Sequence, residues 1–456
     1  MSKIHFIGIG GIGVSALAGY YLEKGHEVSG SDLVSSEITQ RFEKQGAKVF
    51  IGEHKKENIK EDIDLVIYTS ATKESNPEIE KANKLNIKTQ SYAQALGELT
   101  KKYFTIAVSG THGKSTTSSM IGLLLIKAGL DPTIIIGTKL KELDDSNYRV
   151  GKSNYLVIEA DEWNASFLNY YPNVIVLGNI EEEHLDFYKN LEDILSTYKK
   201  YLDNLSDDGF LVVNGDDNNI SKVIKEKGIN SSNIKNYSLD SLEAEEVRDA
   251  MSIPGDHNVA NGLATLLVAD ILGINKNLVL ESLKEYKGSW RRFDLSERKN
   301  KEESFILIND YAHHPTEIRA TLSASREKFP NSRIWVVFQP HQYQRTFYLF
   351  EDFVNVFSSS SIDKLIITDI YDVAGREESE IKDKVSSDKL AKEIEGKSDF
   401  EVSYISSIEK TSSYLKEKLV GEDVLLIMGA GNIYKLANYF PLDRKETKKD
   451  NKVTDL

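Results

Sequence analysis

The stretch FTIAVSGTHGKSTT, residues 104–117, joins an apolar β-type run to a polar segment through a glycine turn. Phe104 to Val108 has the β-branched, apolar character of a buried strand, and Ser115 to Lys127 has the spacing of a helix that Gly129 ends. A strand, a glycine turn and a helix in this order are the setting of a phosphate-binding loop. The stretch therefore predicts a nucleotide site in a parallel α/β domain.

The turn matches the phosphate-loop motif GxxxxGK[ST] only in part. Gly113, Lys114 and Ser115 are in place, but Val108 stands where the first glycine is expected. Backbone N–H groups from Thr111 to Ser115 would cradle phosphate oxygens, Lys114 would offset their charge, and the Ser115 hydroxyl would reach Mg²⁺. We expect a loop tighter than the standard one.

The same alternation of strand, glycine turn and helix continues along the chain, which predicts an α/β fold with parallel sheets. The other predicted strands are Ile4 to Ile7, Asp64 to Tyr68, Tyr155 to Ile158, Val174 to Leu177, Phe305 to Ile308, Arg333 to Phe338, Leu365 to Thr368 and Val424 to Met428. A length of 456 residues suggests about three domains. We place boundaries in a polar stretch near Leu96 to Lys102 and around Gly288 to Trp290.

Composition excludes several classes of protein. A net charge of −14 argues against binding to nucleic acid or to an anionic membrane, because both require clustered basic surface. The absence of cysteine excludes disulfides, thiolate metal sites and a cysteine nucleophile. No apolar run approaches the ~20 residues that span a bilayer. We expect a cytoplasmic protein whose N-terminus is part of the fold.

A second nucleotide signal lies at the N-terminus. The strand KIHFI runs into a turn that carries Gly8, Gly10, Gly11 and Gly13, and Asp32 follows about 20 residues later at the end of another strand. Such a turn presents backbone N–H groups and a helix N-terminus to a diphosphate. The spacing is compatible with NAD and equally with a nucleotide-sugar diphosphate.

Acidic clusters follow two later strands. Glu159 and Asp161 lie where one strand stops, and Asn179, Glu183, His184 and Asp186 lie just beyond the next. Mg²⁺ prefers hard oxygen ligands, so carboxylates at strand ends beside a phosphate loop indicate a magnesium site. Either cluster alone would be explained equally well as a solvated face.

Two further segments carry candidate binding groups. Asn258 and Asn261 are three apart and would present amides to a heterocycle from one helix face, although helix capping explains Asn258 equally well. Arg291 and Arg292 lie near a domain junction, where a guanidinium could reach a transferring phosphate. A surface ion pair is the alternative for these arginines.

The stretches INDYAHHPTE and FQPHQYQRT each follow a strong strand. Together they supply Asp310, His313, His314, His341 and Arg345. A histidine metal site is conceivable, but we favour a pocket for a small acid, because a guanidinium pairs bidentately with a carboxylate.

Seven motifs, taken in order along the chain, resemble those of the Mur ligase family of bacterial cell-wall synthesis, and most closely its alanine-adding branch. They are GIGGIGVSALA, SGTHGKSTT, EADE, NIEEEHLD, PGDHNVAN, DYAHHPTE and FQPHQYQRT, and they span the chain apart from its charged tail. Members of this family are three-domain, ATP-dependent amide ligases. The resemblance implies a Rossmann-like UDP-sugar domain over residues 1–98, a central ATP domain over 99–288, and a Rossmann-like amino-acid domain over 289–443, followed by a mobile tail, 444–456.

The activity implied by the resemblance is the joining of L-alanine to the lactyl carboxylate of UDP-N-acetylmuramate. The carboxylate would attack the γ-phosphorus of ATP, and the alanine amine would then displace phosphate from the acyl phosphate. ATP is the implied co-substrate and Mg²⁺ the implied ion, with Mn²⁺ tolerated because imidazole suits it better. We expect a monomer or a weak homodimer.

The resemblance also implies roles for individual residues. Lys114, Glu159, His184 and Arg292 would be catalytic, and Ser115, Glu159 and His184 would hold metal. ATP would contact Gly110, Thr111, His112, Gly113, Lys114, Ser115, Thr116, Asn258, Asn261, Arg292 and Asp310. The UDP-sugar would contact Gly8, Gly10, Gly11, Gly13, Asp32, His54 and Ser70. L-Alanine would contact His313, His341 and Arg345.

The chain departs from the family pattern at Trp163, Glu183 and Gln342, where serine, aspartate and arginine are common. We therefore expect Arg345 to bind the alanine carboxylate largely alone. A murein-peptide ligase, which adds a preformed peptide to the same sugar, is the nearest alternative. An NAD-dependent dehydrogenase would explain the N-terminal glycines but not the GKST loop.

Overall fold

A computed structural model describes residues 1–184, 187–229, 231–372 and 379–443, so the predicted mobile tail and the candidate residue Asp186 lie outside the described residues. The chain forms two compact units. The first consists of residues 1–250 and 260–285, and the second of residues 251–259 and the chain from Tyr286 onward. The domain bounds predicted above stay a prediction.

The described strands are β1 (Lys3–Ile7), β2 (Glu27–Asp32), β3 (Lys48–Ile51), β4 (Leu65–Tyr68), β5 (Lys88–Ser91), β6 (Phe104–Ser109), β7 (Thr133–Leu140), β8 (Ser146–Arg149), β9 (Tyr155–Glu159), β10 (Val174–Leu177), β11 (Phe210–Asn214), β12 (Ile234–Tyr237), β13 (Asp294–Asn300), β14 (Glu303–Asp310), β15 (Ile334–Phe338), β16 (Lys364–Ile367), β17 (Glu401–Tyr404) and β18 (Val424–Met428). Every strand predicted from the sequence is confirmed, with ends that differ by at most two residues.

The described α-helices are α1 (Ile12–Glu23), α2 (Glu37–Lys44), α3 (Pro77–Lys84), α4 (Tyr92–Thr100), α5 (Lys114–Lys127), α6 (Leu191–Tyr201), α7 (Asn218–Lys227), α8 (Leu242–Ala250), α9 (Asp256–Ile271), α10 (Lys276–Glu285), α11 (Pro315–Lys328), α12 (Tyr343–Tyr348), α13 (Phe350–Ser358), α14 (Ser379–Lys382), α15 (Ser387–Glu395) and α16 (Ile408–Lys418). Short 3₁₀ turns, among them Trp163–Asn169, connect several of these elements. Among the described residues no helix is long and apolar enough to cross a membrane.

The first unit contains two sheets. The N-terminal sheet has the order β3-β2-β1-β4-β5 with parallel neighbours throughout. The chain reverses direction across the sheet next to β1, so the turn after β1 opens at the crevice where such sheets bind nucleotides. The second sheet has the order β12-β11-β10-β6-β9-β7-β8, with only β8 antiparallel to its neighbour. Its central strand β6 leads into the predicted phosphate loop.

The two sheets of the first unit share one apolar core, and glycines allow their close approach. A Cβ on Gly19 in α1 would lie 2.1 Å from the ring of Tyr148 in β8. Beside this contact, the Asn147 side chain donates to Ser15 Oγ at 3.2 Å and to the carbonyl oxygen of Ile12. The hairpin β7–β8 therefore packs directly on α1.

The helix α4 makes a second contact between the sheets. A Cβ on Gly97 would lie 2.2 Å from the backbone oxygen of Asn169, at the end of the 3₁₀ turn Trp163–Asn169. Leu96 and Leu99 of α4 are buried. The structure therefore differs from our reading of Leu96 to Lys102 as a separating polar stretch, because most of it is the end of a buried helix.

The second unit contains a third sheet, with the order β13-β14-β18-β15-β16-β17. All neighbours are parallel except β13 and β14, which form an antiparallel pair. Strands β15 and β18 are buried along their whole length, as expected for central strands covered by helices on both faces. The α/β class with mainly parallel sheets is confirmed.

Candidate functional site

The loop between β6 and α5 has the backbone of a phosphate cradle. Gly113, immediately before α5, has φ +82°, and a Cβ there would lie 2.7 Å from Asn261 Oδ1. Gly110 has φ +129°, and a Cβ there would lie 3.0 Å from the backbone oxygen of Asn179. Only glycine satisfies both the left-handed backbone and the close approach. The N-terminus of α5, a favourable place for an anion, follows at once.

The segment after β10 holds this loop in shape. Thr111 N donates to the backbone oxygen of Asn179 at 3.1 Å, and His112 N donates to Asn179 Oδ1 at 2.8 Å. Asn179 Nδ2 donates back to the oxygen of His112 at 3.1 Å, and Glu181 N donates to Thr111 Oγ1 at 2.8 Å. The loop is therefore preorganised, but the N–H groups of Thr111 and His112, which we expected to cradle phosphate, are committed to Asn179. Thr116 lies buried in the first turn of α5.

Lys114 is folded back over the loop. Its Nζ donates to the oxygens of Gly110 and Thr111 at 2.7 and 3.2 Å and pairs with Glu162 Oε2 at 2.8 Å. Burial would lower the pKa of Lys114, but the negative charges of Glu162 and Asp161 outweigh burial and raise it. The loop therefore carries a permanent cation next to the place where phosphates would bind.

Glu162, which the sequence analysis did not single out, is the counter-charge of Lys114. Burial raises the pKa of Glu162 to about 7, against the attraction of Lys114. Its backbone oxygen accepts the Tyr188 hydroxyl at 2.6 Å, which fixes the position of the chain after β9. The motif EADE contains three carboxylates in four residues. The alternation of side chains between the two faces of the sheet ends with β9 at Glu159, so it does not predict where Asp161 and Glu162 point. Sequence alone could not show which later carboxylate faces the lysine.

Two groups of hard ligands lie beside the loop. Ser115 Oγ donates to Glu159 Oε2 at 3.0 Å, and Gly137 N donates to Glu159 Oε1 at 2.6 Å. Ligand atoms of Asp161, Glu162 and His184 lie within 4.8 Å of one another. Carboxylates and a hydroxyl suit Mg²⁺, and the added imidazole suits Mn²⁺. The donor set therefore fits a divalent cation.

The structure places the predicted metal ligands in these two groups. Ser115 and Glu159 are in direct contact, whereas His184 Nε2 lies 3.6 Å from Glu162 Oε1. His184 has φ +57°, a left-handed backbone that is uncommon outside glycine and is found at functional sites. Of the residues where the chain departs from the family pattern, Glu183 accepts from His184 N at 3.3 Å, and Trp163 N donates to Asp161 Oδ1 at 3.2 Å.

The two predicted asparagines both lie in α9 but have different partners. Asn261 Oδ1 accepts the Thr117 hydroxyl at 3.0 Å, which ties α9 to the helix of the phosphate loop. Asn258 Nδ2 donates to the oxygen of Pro254 at 2.7 Å, a contact local to the start of the helix. For Asn258, the structure supports a role in the helix terminus.

The N-terminal glycine turn is closed by Asp32. Gly10 N donates to Asp32 Oδ2 at 2.9 Å, and Gly8 and Gly11 lie in the same turn, with Gly11 N donating to the oxygen of Gly8 at 3.0 Å. Gly8 has φ +79°. Gly13 lies in the first turn of α1. The N–H groups of Gly8, Gly10 and Gly11 are thus committed within the protein, so at this turn the N-terminus of α1 is the group that could receive a diphosphate, and Asp32 shapes the turn from the end of β2.

His54 and Ser70 follow the ends of β3 and β4 at the same edge of this sheet. Ser70 is exposed, two residues after Tyr68. His54 is largely buried, and its Nδ1 lies 3.0 Å from Ser31 Oγ at the end of β2. The predicted nucleoside residues therefore share one edge with the glycine turn.

In the second unit, Arg291 is a structural residue. Its guanidinium lies 4.7 Å from the ring of Tyr311 and 4.6 Å from that of Tyr434, and it donates to the oxygen of Gly429. Burial lowers the pKa of Arg291 to about 10. Its neighbour Arg292 is 28% exposed and lies 3.6 Å from Glu317 Oε1. Of the two arginines, Arg292 is the more exposed.

Asp310 holds the loop that carries these arginines. Its two carboxylate oxygens accept Phe293 N at 2.7 Å and Ala312 N at 2.8 Å. Burial raises the pKa of Asp310, against the charge of Arg292. The predicted contact with ribose stays a prediction, since the structure gives Asp310 a supporting role. His314 caps α11 through its ring.

The residues predicted to bind a small amino acid come together. The rings of His313 and His341 lie 5.9 Å apart, and Arg345 Nη1 lies 3.2 Å from His341 Nδ1. Tyr371 stacks on His341 with ring centres 5.6 Å apart. Gln342, at the start of α12, has φ +72°. An imidazole pair beside a guanidinium can receive a carboxylate and position a neighbouring amine.

Comparison with known proteins agrees with this geometry. Three family profiles match in succession: the Mur ligase family catalytic domain over residues 3–104, the Mur ligase middle domain over 108–269, and the Mur ligase glutamate ligase domain over 291–431. The predicted three-domain organisation is confirmed by these matches.

Relatives are similar over nearly the full length. The UDP-N-acetylmuramate–L-alanine ligases of Clostridium botulinum strain Hall and Acetivibrio thermocellus are each 40% identical, over 96% and 97% of this chain and 97% and 96% of theirs. The crystal structure of the UDP-N-acetylmuramate-alanine ligase from Thermotoga maritima has a TM-score of 0.79 at 27% identity and covers 99% of this chain and 100% of its own. A murein peptide ligase from Psychrobacter arcticus shares the fold, with a TM-score of 0.70 at 22% identity and full coverage of both chains.

Proposed function

The chain belongs to the Mur ligase family, and we propose that it is an ATP-dependent ligase that joins L-alanine to the lactyl carboxylate of UDP-N-acetylmuramate in peptidoglycan precursor synthesis. The observation that carries the proposal is the largely enclosed Lys114, 15% exposed, which is held over a preformed glycine loop by Glu162 at 2.8 Å. Hydride transfer includes no step in which a phosphate-loop lysine of this kind would take part. The relatives named for alanine addition favour L-alanine over a preformed peptide.

The reaction needs ATP because a carboxylate is a poor electrophile. The lactyl carboxylate oxygen forms a bond to the γ-phosphorus while the β,γ P–O bond breaks, which gives an acyl phosphate and ADP. The alanine nitrogen then bonds to the acyl carbon, the C–O bond to phosphate breaks, and the amine loses a proton. Phosphate is a far better leaving group than oxide.

The protein's task is to position the reactants and to offset charge. The N–H groups at the N-terminus of α5, from Gly113 to Ser115, bind the triphosphate, and Lys114 offsets charge that develops on the γ-phosphate. Ser115, Glu159, Asp161, Glu162 and His184 are the residues that would hold Mg²⁺, which supplies charge neutralisation when bound. The roles of Asn258, Asp310 and Arg292 toward ATP stay predictions.

The nucleotide-sugar assignment rests on the N-terminal sheet. A parallel sheet with a glycine turn after β1 suits a diphosphate, and His54 and Ser70 lie at the edge where a nucleoside would follow. Dependence on ATP and a nucleotide-sugar favours a cytoplasmic reaction. A monomer or weak homodimer stays our prediction for the oligomeric state.

The proposal is tested by measuring ADP release with UDP-N-acetylmuramate, with and without L-alanine. We expect sustained release only when both substrates are present. Release that requires a tripeptide in place of alanine would instead identify a murein-peptide ligase, and NAD reduction without ADP release would identify a dehydrogenase. When the carboxylate of the sugar is labelled with ¹⁸O, the label should appear in the released phosphate.

Arg345→Ala is expected to raise the KM for L-alanine by about tenfold or more and to leave the KM for ATP nearly unchanged. The reason is that the guanidinium beside His341 is the cation in the predicted alanine pocket, and a hydrogen bond to a charged group contributes roughly 1.5–3 kcal/mol. Steady-state kinetics with each substrate varied in turn measures both constants.

The matched control for this prediction is Arg319→Ala. Arg319 is an exposed arginine of α11 in the same unit, and its removal should change neither KM. An unchanged alanine KM in Arg345→Ala would remove Arg345 from the pocket.

A further inference from the structure

A fully buried polar network underlies the nucleotide edge of the N-terminal sheet. Glu78, in the first turn of α3, has a carboxylate that accepts the Ser31 hydroxyl at 2.7 Å and Asn58 Nδ2 at 2.5 Å. His5 Nε2 lies 3.4 Å from the same carboxylate, and His5 Nδ1 lies 2.9 Å from Ser29 Oγ. The side chains of His5 and Glu78 are 0% exposed. Nothing in the proposed reaction uses this buried carboxylate.

The network fixes the direction of each hydrogen bond. Burial alone would raise the pKa of Glu78, but hydrogen bonds from His5, Ser31 and Asn58 outweigh burial and lower it, so the carboxylate is ionised and only accepts. The single hydroxyl hydrogen of Ser31 is therefore committed to Glu78. Ser31 Oγ can then only accept from His54 Nδ1, which lies 3.0 Å away.

The direction of the hydrogen bond between His54 and Ser31 determines whether the other ring nitrogen of His54, Nε2, is a donor or an acceptor. A neutral imidazole carries one hydrogen, and in His54 that hydrogen must be on Nδ1, so Nε2 presents a lone pair. The described contacts of His54 all involve Nδ1, and its side chain is 18% exposed. The other nitrogen is thus an acceptor that a ligand can reach.

Exposed aliphatic side chains lie at the ends of β2 and β3, the two strands that carry Ser31 and lead to His54. Leu33 and Val34, which follow β2, are 61% and 69% exposed, and Ile51, paired in register with Asp32, is 46% exposed. Gly52 N donates to the oxygen of Asp32 at 2.9 Å, which keeps the ends of β2 and β3 together beside Ser31. Exposed aliphatic groups at the same sheet edge as a single acceptor are chemistry that would receive a nucleobase.

We propose that Glu78 is a positioning residue which, through Ser31, fixes the tautomer of His54 so that Nε2 accepts the imide N3–H of a uracil and discriminates against cytosine. Cytosine has an acceptor at N3, so it would place two lone pairs face to face. The inference rests on the proposed function, because it assigns the base-reading group of the proposed nucleotide-sugar site.

The tautomer is tested directly by ¹H–¹⁵N long-range correlation NMR of the ¹⁵N-histidine-labelled full chain at about pH 8, where ordinary imidazoles are neutral. His54 signals are identified by their loss in His54→Ala. We expect Nδ1 protonated and Nε2 unprotonated in the wild type. In Glu78→Gln the amide can donate, so the hydrogen should shift at least partly to Nε2. A wild-type His54 protonated on Nε2 would overturn the proposal.

The selectivity is tested by calorimetric titration of the same proteins with UDP and with CDP. The wild type should prefer UDP by about tenfold or more, and Glu78→Gln should lower that preference by about tenfold, because an unpaired or mismatched hydrogen bond costs that much. Ser31→Ala breaks the same relay and keeps the test decisive if Glu78→Gln fails to fold. The matched control is Glu80→Gln, a surface carboxylate of α3 that lies 3.4 Å from Lys56.

A wrong relay and a wrong nucleotide site would give different binding results. If UDP binds and its preference over CDP is unchanged in both Glu78→Gln and Ser31→Ala, the relay is wrong while the nucleotide site stands. If neither UDP nor CDP binds the wild type, the nucleotide-sugar assignment itself is wrong and the relay falls with it.

Discussion

Lys114→Ala is expected to lower kcat for ligation by about a thousandfold and to leave the affinity for UDP-N-acetylmuramate nearly unchanged. Lys114 is a part-buried cation of the proposed phosphate loop, and removal of one group that stabilises developing charge typically costs ~10²–10³ in rate, with larger losses in phosphoryl transfer. The sugar should bind as before, because the glycine turn that we assign to it follows β1 of the N-terminal sheet, whereas Lys114 follows β6 of the second sheet. ADP release gives the rate, and calorimetry gives the sugar affinity.

Loss of Lys114 also leaves Glu162 without its counter-charge, so stability must be separated from catalysis. The double variant Lys114→Ala/Glu162→Gln removes the orphaned carboxylate and should recover thermal stability without recovering activity. Lys127→Ala, at the other end of α5, removes a partly exposed lysine that pairs with Glu285 at 2.8 Å and serves as the matched control. Equal loss of ligation and sugar binding in Lys114→Ala would contradict the separation of the two sites.

Gly97→Ala is expected to destabilise the first unit by about 3 kcal/mol, because overpacking against rigid backbone is among the costlier core changes. The new Cβ would lie 2.2 Å from the backbone oxygen of Asn169 and 3.0 Å from its carbonyl carbon, and neither atom belongs to a side chain that could rotate away. A loss of this size should lower the Tm by roughly 5–10 °C. Calorimetric melting and denaturant titration both measure it.

Gly46→Ala provides the control for backbone strain alone. Gly46 has φ +93°, and no atom lies within 4 Å of the position that a Cβ would take, so alanine there should cost only about 1–2 kcal/mol. A melting temperature for Gly97→Ala equal to that of the wild type would show that α4 and the 3₁₀ turn can separate without cost.

Much of the fold could be predicted from local pattern. Strands such as Val174–Leu177 are continuous apolar runs, which is typical of buried parallel strands. The two glycine turns need a left-handed backbone and room for a ligand to approach, and few residues other than glycine allow both. The grouping of His313, His341 and Arg345 was also predictable, because both segments follow parallel strands whose carboxyl ends share an edge.

The parts that sequence could not provide depend on long-range packing. The stretch near Leu96 to Lys102 has few apolar residues, yet α4 is buried there because Gly97 lets two backbones meet. Glu162 and Glu78 are acidic residues of the kind usually found in solvent, and only their partners Lys114 and His5 explain their burial. Strand periodicity carries no information about such partners.

The contact between Gly19 and Tyr148 has a consequence for how these ligases diversify. The tyrosine ring occupies the volume that any larger residue at position 19 would need, so the two positions, 129 apart in sequence, must change together. A hybrid enzyme made by transplanting the N-terminal segment of one relative onto the remainder of another should assemble only when the donor brings glycine to this place or the recipient carries a smaller side chain opposite it.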